Sequence, residues 1–130
     1  MSIILALALL LASPATGHDD SFAARLLRGR MVEAGPTGAD YQKALWQQIN
    51  DPAAAALKGC IARHAPADKS PFTVVANVRA DGKPDQVLAQ PATPVAECFA
   101  DWLATNTLPL PPALDDEPVY PIEIDVSIVP

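Results

Sequence analysis

The chain lacks a long hydrophobic run and is short of basic residues and glycines. Its longest apolar stretch, Ile3–Ala12, is ten residues. A membrane-spanning helix needs roughly 20, so no stable membrane anchor is expected. Lys plus Arg number nine against fifteen Asp plus Glu, a formal charge of −6. Nucleic-acid binding needs a basic face to neutralise phosphates, so no nucleic-acid partner is expected. Six glycines among 130 residues leave little from which to build a phosphate-cradling loop. Two cysteines and two histidines are few soft ligands, and they lack the tight spacing of a zinc site.

Catalytic constellations are missing too. The carboxylates of Glu33, Asp40, Asp51, Glu97, Asp101, residues 115–117, Glu123 and Asp125 form no motif with a nucleophile or a second histidine. Thr105 and Ser127 have no base at an informative spacing. An enzyme is therefore not expected, and no cofactor is implied.

What is present is the content of one small globular domain. Half the residues are apolar and 18% are charged. Fourteen prolines are about twice the usual ~5%. The Ile3–Ala12 run suits the centre of a secretory signal, and the small residues Ser13 to Gly17 follow it. Residues 1–17 are read as a signal peptide cleaved after Gly17, with cleavage after Ala15 the alternative. No Lys or Arg precedes the run, which departs from the pattern. The expected location is periplasmic or secreted. Residues 18–39 then form an N-terminal arm with a short helix, and residues 40–130 a single domain.

In an exported chain, Cys60 and Cys98 read as a disulfide. Closing a loop of that length contributes roughly 4 kcal/mol by the chain-entropy model. The alternative is a reactive pair of Cys60 with His64, four residues apart on one helix face.

Periodicity places the elements. Asp20-Ser21 caps a helix through Leu27, with Gly29 and Gly35-Pro36 ending it. Arg25, Arg28 and Arg30 form a basic cluster there, a solvated face or a dock for an acidic partner. Tyr41, Leu45 and Ile49 make the stripe of a second helix, with Trp46 beside it. Asp51-Pro52 ends that helix and starts another, whose face carries Leu57, Cys60, Ile61 and His64. Phe72–Arg79 alternates as a strand, Asp81-Gly82 is a hairpin turn, and Asp85–Gln90 returns. Val95, Cys98, Phe99, Trp102 and Leu103 define a helix. Leu108–Pro112 is extended and Asp115-Asp116-Glu117 an acidic turn. Tyr120–Ile128 alternates as the last strand. Trp46, Trp102, Phe72 and Phe99 fall on apolar stripes and are read as core. The expected class is α+β: helices packed on one face of a small, mainly antiparallel three-stranded sheet, in the order α-α-β-β-α-β.

From about residue 55 to 129 this order resembles the TonB C-terminal domain and its stand-alone relatives. The resemblance lies in Phe72–Arg79, Asp81-Gly82-Lys83, Asp85–Gln90, Val95–Thr105, Leu108–Pro112 and Tyr120–Ile128. Some secreted relatives also look to carry cysteines where Cys60 and Cys98 stand. The resemblance implies a module that binds extended peptide segments by adding them to a sheet edge. The membrane helix and long Pro-rich linker of a full energy transducer are absent from this sequence, so it looks like the module alone.

The leading expectation is thus a non-enzymatic interaction module with a protein or peptide partner on the last strand, at Tyr120, Ile122, Glu123, Ile124, Asp125 and Ser127. Glu123 and Asp125 would favour Lys or Arg in that partner, and would equally keep the edge from pairing with another copy. One alternative is a copper site at a mature N-terminus formed by His18. Another is an inhibitor or immunity protein.

Overall fold

Strand β1, Phe72–Val78, has a neighbour on each side, and the molecule is assembled around it. Its β-branched residues suit a pleated surface, and the alternation of Phe72, Val74, Ala76 and Val78 gives one continuous apolar face. In the computed structural model, which describes residues 20–129, β1 follows two helices, α1 (Phe22–Ala34) and α2 (Gly38–Arg63). It is succeeded by β2 (Pro84–Gln90), α3 (Pro94–Ala104) and β3 (Tyr120–Val126). The sheet order is β2-β1-β3, antiparallel throughout. The α+β class and the element order are those expected. The signal segment 1–17 and His18 lie outside the described residues.

Paired positions on antiparallel neighbours share a face. Phe72, Val74, Ala76 and Val78 pair with Val126, Ile124, Ile122 and Tyr120, and all eight are buried. They pack against Tyr41, Leu45, Ile49 and Ala53 of α2 and Val95, Phe99 and Leu103 of α3. The Cys60–Cys98 bond joins those two helices, with Cα atoms 5.7 Å apart. It removes the Cys60–His64 alternative, since Cys60 has no thiol to offer and His64 is exposed at the end of α2.

α1 lies against β3 from the other side. A Cβ built at Gly29 would stand 3.2 Å from the Ile122 carbonyl carbon and 3.4 Å from Glu123 Cβ, so glycine permits this close approach. This is why Gly29 does not end α1, as the sequence reading had it. Ser21 caps the helix by accepting from the Ala24 N–H. The expected break at Asp51-Pro52 is also absent: α2 runs through Pro52 without interruption. A proline inside a helix forfeits one backbone bond. Here the buried stripe Tyr41, Leu45, Ile49, Ala53 continues across it, and four alanines follow, so core burial and propensity outweigh that loss.

The β1–β2 connection depends on Gly82, which has φ +83°. Its N–H donates to Arg79 and its carbonyl accepts from Leu108 N–H at 2.8 Å, tying the hairpin turn to the extended segment after α3. An added Cβ would clash with the Leu108 carbonyl oxygen. Gly82→Ala is expected to cost about 1–3 kcal/mol, from left-handed backbone strain plus this clash. Urea denaturation of the two proteins measures it directly.

Candidate functional site

A three-stranded sheet has two edges, and here they are the outer flanks of β2 and β3. Each carries main-chain groups able to pair with an added strand. The elements beside each flank decide what that flank can receive.

Along β3 and just past it, the expected partner-binding residues play different parts. Tyr120, Ile122 and Ile124 point into the core and are buried. Tyr120 stacks on Tyr41 at 4.6 Å between ring centroids, and its hydroxyl lies 2.9 Å from Thr37 Oγ1. Tyr120 and Ile122 hold the fold and are closed to a partner, and α1 approaches the backbone at Ile122–Glu123.

Glu123 and Asp125 lie on the opposite face, paired with Val75 and Thr73 of β1. Asp125 Oδ1 accepts from Thr73 Oγ1 at 2.7 Å. Glu123 is half-buried close to the carboxyls of Glu33 and Asp125, and its Oε2 is buried without a hydrogen-bond partner. Burial, then the neighbouring Asp125 and the Glu33 contact, push the Glu123 carboxyl up to about 7. Glu123 is therefore a contact between α1 and the sheet, where the sequence suggested a charge offered to a partner.

Ile124, Asp125 and Ser127 do meet at one place. With Val126 they line a groove of about 250 Å³ whose far wall is Trp46, Ala53 and Leu57 of α2, with Phe99. Trp46 was expected in the core, but it is 38% exposed, its Nε1 donating to Gln42 Oε1. It sits one position beyond Leu45 on α2, which turns it off the buried stripe and onto the rim of this groove. Phe72 and Phe99 are core as expected, and Trp102 is half-buried. The sequence reading missed Trp46 and Leu57 as site residues. Their signal was a large apolar side chain beside, rather than on, the helical stripe.

The basic cluster does not form a docking face. Arg25 is 2% exposed, and its guanidinium donates to the Gln86 carbonyl at 2.5 Å. Desolvation lowers its pKa from the ordinary arginine value. Arg28 stands 3.6 Å from Asp20 and 3.9 Å from Glu117. Of the three, Arg30 alone is exposed. Among the described residues, no group of three or more His, Cys, Asp or Glu is placed to hold a metal ion. The proposed His18 copper site lies outside the described residues. No helix among the described residues is long and apolar enough to cross a membrane.

The raised Glu123 value sets a pH dependence. A carboxyl whose folded value exceeds its unfolded one binds more protons when folded, so stability falls as pH rises. The window runs from the ordinary 4.5 to about 7. Denaturation midpoints are expected to be higher at pH 5 than at pH 8, with Glu123→Gln flattening much of that slope. An equal slope in wild type and variant would contradict the assignment.

Compared with known proteins, the chain matches no family model, no curated protein and no solved structure.

Proposed function

We propose that the protein is a non-enzymatic interaction module, periplasmic or secreted, that takes an extended peptide or protein segment onto the outer flank of β3. One observation carries this reading. The Ile124–Ser127 stretch of that flank runs beside a groove walled by the exposed face of Trp46 and by Leu57. Main-chain pairing would supply affinity, and the groove would select side chains at alternate positions. The disulfide supports an oxidising compartment. The strand–turn–strand–helix–strand order is the same order on which the resemblance to stand-alone TonB C-terminal-like modules rests.

The groove favours an apolar side chain in the partner. Trp46, Leu57 and Phe99 present apolar surface there. Of the two carboxylates expected to recruit Lys or Arg, that of Glu123 is half-buried beside Glu33, and that of Asp125 lies on the sheet's other face, bonded to Thr73.

A capped peptide alternating valine with threonine tests the proposal. Amide chemical-shift changes are expected at Ile124–Ser127, together with a change in Trp46 fluorescence in a Trp102→Phe background. Trp46→Ala is expected to weaken binding by roughly tenfold or more, in line with truncation of a buried aromatic anchor. Binding that ignores Trp46, or shifts confined to other parts of the chain, would contradict it.

A further inference from the structure

The opposite edge of the sheet carries a second groove. β2 has β1 on one flank and no strand on the other among the described residues. Its first half is irregular: the register shifts opposite Val75–Asn77, and Gln86 has φ +49°. There the main chain is already occupied. Asp85 Oδ1 accepts from the Gln86 N–H at 2.9 Å, and Arg25 donates to the Gln86 carbonyl. In the second half, Leu88–Gln90 pairs regularly with Thr73–Val75, and Val87–Gln90 lines a groove of about 390 Å³ against α3.

The walls of that groove have a distinct chemistry. The floor is apolar, from Val87, Ala89 and Ala100. The helical wall carries Glu97 and Asp101, both exposed, and none of the described residues lining the groove is basic. Glu97 and Asp101 are four residues apart on α3, a rise of about 6 Å along the helix. Same-side residues of an extended strand, two apart, are spaced by about 6.7 Å. The two carboxylates are thus spaced much like same-side positions i and i+2 of an extended strand.

We infer that the β2–α3 groove is a docking site for an extended peptide segment with Lys or Arg at alternate positions, bound as a fourth strand on Val87–Gln90 and read by Glu97 and Asp101. About four residues of partner, roughly 13 Å, fit this stretch. The Gln86–Arg25 contact closes the end of the edge and fixes where the added strand stops. The site is separate from the β3 groove in position and in the side chains it selects.

The test uses the full chain and a capped pentapeptide alternating threonine with lysine. Its amide shift changes are expected at Val87–Gln90 and along α3 at Glu97 and Asp101. Glu97→Gln with Asp101→Gln, both on an exposed helix face, is expected to weaken binding about tenfold while leaving the folded spectrum intact. A peptide methylated on the backbone nitrogens that face β2 is expected to lose binding, because an added strand needs those donors. Shifts at Ile124–Ser127 in place of Val87–Gln90 would overturn this inference while supporting the β3 reading. Undiminished binding by the methylated peptide or by the double variant would overturn it as well.

Discussion

The pairing of β1 on both flanks is the interaction on which the rest of the structure depends. β1 is the strand that has two neighbours and little contact with solvent on either face: Val74 and Val75, pointing opposite ways, are each 1% exposed. Its apolar face supplies the floor on which α2 and α3 sit, and the disulfide between those helices fixes the roof over that floor. Its other face meets the β3 carboxylates through Thr73 and Val75, and α1 packs near Glu123 while Asp125 stays exposed. Weakening β1 would release both layers together.

The same arrangement creates the functional surfaces. A sheet of three strands with one central member must end in two edges, and this chain covers neither with another strand among the described residues. Each edge is instead flanked by a helix set back from it, α2 beside β3 and α3 beside β2, leaving a groove whose inner wall is main chain. α1 and its Arg25 trim both edges. Gly29 brings α1 onto the Ile122–Glu123 part of β3, and Arg25 caps Gln86 on β2. What remains open is the Ile124–Ser127 stretch on one side and Val87–Gln90 on the other. The side chains above them differ, an indole and aliphatic groups in one case and two carboxylates in the other, so the two edges would select different segments.

Much of the fold was legible in the sequence because its signals were local. Strict alternation in Phe72–Val78, the Asp81-Gly82 turn, the 0, 3, 4, 7, 8 stripe of α3 and the two cysteines each follow from short-range chemistry. Pro52 misled because its helix-breaking cost is local, whereas the stripe from Tyr41 to Ala53 that overrides it is tertiary. Gly29 misled for the same reason: its low helix propensity is outweighed by the close backbone approach that it permits. The site was less legible. Tyr120, Ile122 and Ile124 alternate as a strand must, but alternation does not tell which face is the core. Arg25 buried against a carbonyl 61 residues away, and Glu123 meeting Glu33 across two elements, have no sequence spacing that announces them. Trp46 shows how small an offset matters: one residue beyond a buried leucine, it passes from core to groove rim.

The central claim is that both edges of the sheet stand open in the free protein while β1 is closed. Residue-resolved amide hydrogen exchange on the unliganded chain tests it most directly. The account predicts that β1 amides, together with those of β2 and β3 directed toward β1, are the slowest to exchange. Outward-directed amides within Val87–Gln90 and Ile124–Val126 should exchange at rates near those of exposed loops. Protection of those outward amides equal to that of β1 would mean that the edges are already covered, and would contradict the account.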